Sequence, residues 1–454
     1  MTTSSNDTIV ALATVPGISA IAVIRLSGAD AISITQKVFR GKNLNEQASH
    51  TIHFGRILSA DEIIDEVLVS VFRAPSSFTR ENSVEISCHG SPLVATKIIR
   101  ALLSAGARLA NPGEFTKRAF LNKRFDLTQA EAVADLIHAE SDAAHHAAIN
   151  QMRGGFKTEL ESLRQELIHF ASLVELELDF GEEDVEFAKR DELRGMVLRI
   201  QAFITPLIDS FQAGNVIKNG IRTVIAGKPN AGKSTLLNAL LNEERALVSD
   251  IPGTTRDVIE DVIHLDGLAI RFIDTAGLRE AQDPIEAMGI DRTQQEMKKS
   301  SLIFYMIDLG NTSFTEMDAQ ESHLRDLGIP FILIGNKVDK CTPEIKLVAE
   351  QRGYVLISAL QKTNLSVLKT KIVELFQIQS RHSGTIVTSL RHYECLTETN
   401  AALERVLSSL NTRTTGDFMA MDIRQALFYL GSITGEISTE DLLDSIFSRF
   451  CIGK

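Results

Sequence analysis

The chain has 454 residues, of which 44% are hydrophobic and 23% charged, and its formal net charge is −12. That length exceeds what one hydrophobic core supports and points to several domains. The acidic balance excludes a general nucleic-acid binder, which needs clustered Lys and Arg against phosphates, so any action on RNA calls for a local basic patch or a partner. Cys88, Cys341, Cys395 and Cys451 stand far apart and form no Cys-x-x-Cys pair, so neither a zinc site nor a disulfide framework is expected. The amino-terminal stretch lacks a basic segment followed by a long apolar one, and no apolar run is long enough to span a bilayer. A signal peptide and a membrane span are therefore not expected.

Residues 1–120 carry short alternating apolar runs: "TIVALATV", "AIAVIRLSG", "HTIHFGRI", "EVLVSVF" and "SVEISCHG". A helix-like "SPLVATKIIRALLSAG" follows, and the spacing predicts an α+β domain whose ligand the periodicity does not reveal. From 126 the pattern is helical. Thr128-Gln-Ala-Glu131 has the form of a capping box, with Val133, Leu136 and Ile137 on one face. Ser141 is placed to cap a second long helix, bent at Gly154-Gly155 and ended at Phe180-Gly181, and a third helix is predicted over 189–213. His138, His145, His146 and His169 lack the spacing of a metal motif and read as structural.

The strongest chemistry lies in "IRTVIAGKPNAGKST", residues 221–235. An apolar β-branched strand leads into Gly227-x-x-x-x-Gly232-Lys233-Ser234 and then a helix, the context in which this loop cradles phosphates with backbone N–H groups. Lys233 reaches β- and γ-phosphates in this motif, and the Ser234 hydroxyl ligates Mg²⁺. The strand "RFIDTAGL" ends in Asp274, suited to the Mg²⁺ shell, and Gly277, whose N–H suits a γ-phosphate. The strand "PFILIGNKVD" ends in Asn336-Lys337-Val338-Asp339, and an Asp here accepts from guanine N1–H and N2–H₂, which adenine lacks. A further strand is predicted over 354–360, with the Ala359 N–H placed for guanine O6. Four loops in order, each at the carboxyl end of a predicted strand, form one GTP site. Taken over whole loops, the expected contacts are Asn230, Ala231, Gly232, Lys233, Ser234 and Thr235; Ser249, Asp250, Ile251, Pro252, Gly253, Thr254 and Thr255; Asp274, Thr275, Ala276 and Gly277; Asn336, Lys337, Val338 and Asp339; and Ser358, Ala359 and Leu360.

Asp266-Gly267 between two alternating runs predicts a tight hairpin, and the preceding "PGTTRD" loop offers Thr255 as a second Mg²⁺ hydroxyl in a switch segment. After "DTAG" stands Leu278, which cannot orient an attacking water, so Arg256, Arg279, Glu280 and Glu286 are the candidates within reach. The GTPase unit spans about 217–378. Helical spacing resumes beyond it, with Ser438 and Asp441 predicted to start the last helix. The economical architecture is a helical domain built from both flanks with a GTPase inserted. The chain closes on "SRFCIGK", where Cys451 reads as a lipid anchor, a passive tail or a reactive thiol.

"GKPNAGKST", "PGTTRD", "DTAGLRE", the helical halves and the terminal "CIGK" together resemble the MnmE (TrmE) tRNA-modification GTPase family over essentially the whole chain. The resemblance implies a multidomain chain: a folate-binding, dimerising α+β domain over 1–120, an all-α helical domain in two parts over 121–216 and 379–454, and an inserted Ras-like P-loop α/β GTPase domain over 217–378. It implies a potassium-stimulated GTPase working in the cytoplasm as a homodimer and, in a heterotetramer, with the flavin-dependent partner MnmG. Together they add a carboxymethylaminomethyl or aminomethyl group to C5 of wobble uridine, position 34, of certain tRNAs, from a 5,10-methylene or 5-formyl tetrahydrofolate. The net charge suggests that MnmG supplies most of the tRNA grip.

By the same resemblance, Arg25, Glu85, Arg124 and terminal Lys454 contact folate; many relatives have lysine where this chain has Arg124, and a glycine-richer stretch where it has Ile18, Ser19 and Ala20. Asn230 matches the potassium-holding asparagine, Ser249, Ile251 and Thr254 match the other potassium ligands, and Glu286 matches the glutamate that orients water in place of Leu278's missing function. Cys451 is then expected at the folate pocket. The competing expectation is a GTP-dependent switch in ribosome or RNA assembly, of the Era or Der type, although those carry a basic RNA-binding appendage that this chain does not show.

Overall fold

The computed structural model describes residues 7–60, 62–179, 189–244, 261–273, 295–380, 386–412, 416–448 and 450–453. The chain forms two compact units, one from 1–134, 151–188 and 411–454, the other from 135–150 and 189–410.

The first unit is built on strands β1 (Ile9–Leu12), β2 (Ile21–Ser27), β3 (Phe39–Arg40), β4 (Thr51–Ser59), β5 (Glu62–Phe72), β6 (Ser83–His89) and β7 (Arg108–Leu109). They form one sheet in the order β3-β4-β5-β6-β2-β1-β7. All neighbours are antiparallel except β1 and β7. The period of two predicted this: Ile24, Leu26, Val69, Val71, Val84 and Ile86 are buried beneath the helices Ala31–Val38 and Pro92–Ser104, which contribute Ile34, Ile98 and Leu102. The helices Leu127–Ile137 and Glu440–Phe447 meet through Leu127, Ala130, Leu443, Ile446 and Phe447.

Two helix starts are shifted from their predicted places. At Leu127–Ile137 the cap is Asp126, whose Oδ1 accepts from the Gln129 N–H at 2.7 Å while Gln129 Oε1 accepts from the Asp126 N–H at 3.1 Å. The reciprocal pair is therefore Asp126 with Gln129, two residues before Thr128 with Glu131. Asp126 wins because Leu127 is buried as the first helical residue, which leaves the carboxylate outside the helix. Thr439, not Ser438, starts the last helix, its hydroxyl accepting from Leu442 N–H at 3.2 Å. The expected bent helix is two helices, Asp142–Met152 and Lys157–Asp179, with Gly154-Gly155 in the break. Ser141 caps the first, as expected, by accepting from Ala144 N–H at 3.2 Å. The third helix runs Arg190–Asn219.

In the second unit, β8 (Ile221–Gly227), β9 (Asp261–Leu265), β10 (Leu268–Phe272), β11 (Leu302–Asp308), β12 (Phe331–Asn336) and β13 (Val355–Leu356) form a sheet in the order β13-β12-β11-β8-β10-β9. It is parallel except for the β9–β10 hairpin, which turns at Asp266-Gly267 as the sequence predicts. Strand β11 is hydrophobic from Leu302 to Ile307 because both faces are covered: Leu302, Phe304 and Met306 pack on one side, Ile303, Tyr305 and Ile307 on the other. The strand expected over 354–360 is only Val355–Leu356, because Ser358 pairs with Thr363 and the chain turns. Among the described residues no helix is long and apolar enough to cross a membrane.

Candidate functional site

The phosphate-type loop joins β8 to the helix Lys233–Glu244. The Lys233 ammonium donates to the Gly227 and Lys228 carbonyls at 2.8 and 2.9 Å, along the loop's own backbone. Asn230 is exposed, with φ of 61°, a conformation an Asn tolerates better than most residues. Gly232 has φ of 101°, and a Cβ there would stand 2.2 Å from Asn336 Nδ2. Only glycine leaves room for the next contact. Asn336, 3% exposed at the end of β12, donates from Nδ2 to the Ala231 carbonyl at 2.8 Å and accepts on Oδ1 from the Ala359 N–H at 3.0 Å.

One buried amide thus ties the phosphate loop to the 358–360 loop. The Ala359 N–H, which the sequence offers to guanine O6, here donates to Asn336 Oδ1. Ser358 and Ala359 are buried, while Leu360 and Asp339 are exposed. Lys337, with φ of 61°, pairs with Asp308 at the end of β11 at 2.6 Å. Asp308 was not singled out from the sequence; its only signal was its place at the end of a buried strand. Ser249, Asp250, Ile251, Pro252, Gly253, Thr254, Thr255, Asp274, Thr275, Ala276, Gly277 and Glu286 lie outside the described residues.

A second constellation sits on the first sheet. Arg25 on β2 and Glu85 on β6 are register partners, and Glu85 Oε1 accepts from Arg25 Nε at 2.9 Å and Nη2 at 2.8 Å. The Arg25 guanidinium lies 5.6 Å from the Phe78 ring and 5.8 Å from the Phe115 ring. Arg124 approaches the same Phe78 ring at 5.2 Å, as well as Phe125 at 5.2 Å, and donates to the Ser77 carbonyl. Arg25 and Arg124, distant in sequence, therefore converge on Phe78, and Glu85 joins them through Arg25. Phe78 lies in a loop without periodicity, so nothing in the sequence marked it.

Beside this cluster runs a charge network. Glu114 and Asp7 hold Arg108, Arg118 bridges Asp7, Glu81 and Glu114, and the Glu114 side chain is 9% exposed. Burial alone would raise the Glu114 carboxyl, but the bonds from Arg108, the Asn111 N–H and Arg118 hold it below the ordinary value. Asp7 is likewise lowered, against burial, by Arg108 and Arg118.

The carboxyl-terminal tail docks on this unit. Phe447 and Phe450 are buried, with ring centroids 5.4 Å apart. The Cys451 carbonyl accepts from the Gly113 N–H at 3.4 Å. Gly453 has φ of 97°, and a Cβ there would stand 2.3 Å from the Leu12 carbonyl oxygen. Leu12 ends the strand that pairs with the Arg25 strand, and Phe115, two residues after Gly113, lies under Arg25. Cys451 itself is exposed, and Lys454 lies outside the described residues. The Lys117–Asp444 pair at 2.6 Å is too exposed to hold the tail; the two phenylalanines do.

Comparison with known proteins matches residues 8–124 to the family described as "GTP-binding protein TrmE N-terminus" and residues 127–451 to the "MnmE helical domain". The chain belongs to the MnmE family. The tRNA modification GTPase MnmE of Cytophaga hutchinsonii is 55% identical over 100% of this chain and 99% of its own. The MnmE proteins of Christiangramia forsetii and Bacteroides fragilis are 49% and 46% identical, each match covering 99% of this chain, with 99% and 100% of the relative covered. Membership accounts for the three parts of the fold: an α+β sheet unit, helices from both flanks, and a parallel-sheet unit of GTPase type between them.

Proposed function

We propose that this MnmE-family chain hydrolyses GTP and couples that cycle to modification of tRNA. With MnmG it adds a carboxymethylaminomethyl or aminomethyl group to C5 of wobble uridine 34, using a tetrahydrofolate one-carbon unit, in the cytoplasm. The observation that carries this reading is the convergence of Arg25, which holds Glu85, and Arg124 on the Phe78 ring. A simple GTP switch of the Era or Der type needs no such cluster.

The residues suit their proposed ligands. At the nucleotide site, Lys233 and the loop N–H groups take the phosphates, Ser234 and Thr255 take Mg²⁺, and Asp339 selects guanine. Asn230, exposed at the loop crest, offers an amide oxygen to K⁺ with Ser249, Ile251 and Thr254. A cation there neutralises charge between the β- and γ-phosphates, while Glu286 orients water. At the other site, the Phe78 face suits a flat pterin. Glu85 Oε2 has no partner among the described residues and is available to an aminopyrimidine N–H. Arg25 holds the Glu85 carboxylate in place, and Arg124, Lys454 and Cys451 complete the chamber. Cys451 assists the modification there.

The domain division at 120, 216 and 378 follows this reading. A second copy of the chain is expected on β4 and β5, where Ile52, Phe54 and Leu68 are 66%, 64% and 47% exposed and Phe54 faces Leu68 across the ladder. The test is titration of the full chain with 5-formyl-tetrahydrofolate, together with mass spectrometry of wobble uridines in a strain lacking the gene. Saturable binding lost in Glu85→Ala, and loss of the modified uridine, are expected. Normal wobble uridines would leave the rival switch standing.

A further inference from the structure

Arg80 was absorbed by neither site. Its φ of 60° is in the left-handed region, which a non-glycine residue with a long side chain rarely occupies without a compensating role. Its loop is laced to the segment that carries Arg124: Arg80 Nη1 donates to the Asn122 carbonyl at 3.1 Å, Asn122 Nδ2 donates to the Thr79 carbonyl at 2.7 Å, and Arg124 donates to Ser77. The Arg124 guanidinium is held below its usual value first by burial and then by the neighbouring charge of Arg80. No carboxylate neutralises either guanidinium among the described residues, whereas Arg25, Arg108 and Arg118 close by all have one. Two adjacent, unneutralised cations held at the edge of an aromatic platform repel each other, an arrangement that an anion relieves.

Resting on the folate reading above, we infer that Arg80, with Arg124, receives the carboxylates of a γ-linked polyglutamate tail, so that the site prefers polyglutamylated over monoglutamylated tetrahydrofolates. Each added glutamate brings one more free carboxylate, and an Arg fork suits such a group. Phe78 and Glu85 take the pterin, and the Arg80–Arg124 pair reads the length of the tail.

The test is equilibrium titration of the full chain with the mono- and triglutamate forms of 5-formyl-tetrahydrofolate. The triglutamate is expected to bind roughly three- to tenfold tighter at low salt. That preference should shrink to about twofold or less in Arg80→Gln, return in Arg80→Lys, and fall in about 0.5 M NaCl. Equal affinities in the unaltered chain, or a preference that Arg80→Gln leaves intact, would overturn this inference while the folate reading stands. A loss in Arg80→Gln confined to tRNA affinity overturns it in favour of a phosphate contact. Binding of neither form overturns both readings together.

Discussion

At the scale of single residues, Asn336 decides more than its size suggests. Its amide is buried and bonded at both ends, so truncation leaves the Ala231 carbonyl and the Ala359 N–H unpaired. Asn336→Ala is expected to lower stability by about 2 kcal/mol and to weaken GDP binding by at least tenfold, read by thermal unfolding and by titration with a fluorescent GDP. Unchanged GDP affinity would show that the two loops hold their places without it.

Gly453 is decided by space. A methyl there meets the Leu12 carbonyl, so Gly453→Ala should lift the tail and raise the rate at which iodoacetamide alkylates Cys451. An unchanged rate would mean that the tail is not seated in solution. Glu114 is decided by charge. Its carboxyl titrates below the usual 4.5 in the folded chain, so the unfolded chain binds the proton more readily. Its stabilisation is therefore fully present above about pH 4.5 and is lost as pH falls through the folded value. Glu114→Gln is expected to cost about 2 kcal/mol at pH 7 and to flatten the acid limb of the stability curve, measured by urea unfolding between pH 3 and 7.

At the scale of elements, helices and strands were legible where one periodicity persisted. The β9–β10 hairpin fell where Asp266-Gly267 required it, whereas β11, covered on both faces and so without a period, was not singled out from the sequence. The Ser141 start was legible to the residue, but two other helix starts only in kind. Thr128 and Asp126 are both good cap residues, and the choice fell to Asp126 because burial of Leu127 sets where the helix begins. Asp126→Ala is expected to cost about 1 kcal/mol, while Thr128→Ser, which keeps the hydroxyl, should cost less. An unchanged thermal midpoint in Asp126→Ala would return the cap to Thr128. The sequence extends strand β13 over 354–360 because "YVLI" opens on an apolar run, yet the Ser358–Thr363 pairing turns the chain after two strand residues.

At the scale of the whole molecule, the chain carries the proposed nucleotide site on one compact unit and an aromatic-arginine cluster with a docked tail on the other. Cation dependence belongs to this scale, since the proposed K⁺ ligands come from two separate loops. GTP hydrolysis is expected to be at least several-fold faster in K⁺ than in Na⁺ at equal ionic strength, with the difference lost in Asn230→Ala. Equal rates in the two salts would remove the Asn230 assignment.

The sequence by itself determined the fold classes and marked the phosphate-type loop at 227–234, because those signals are local: a glycine spacing, a two-residue turn, a period of two or 3.6. It also marked Arg25, Glu85, Arg124 and Cys451, though only through the resemblance. Only the tertiary structure decided that Phe78 gathers the two arginines, that Asn336 joins two loops, that Arg80 stands unneutralised beside Arg124, and that Gly453 is wedged against β1. Those relations depend on strand order and on burial, which bring together residues that no local pattern connects.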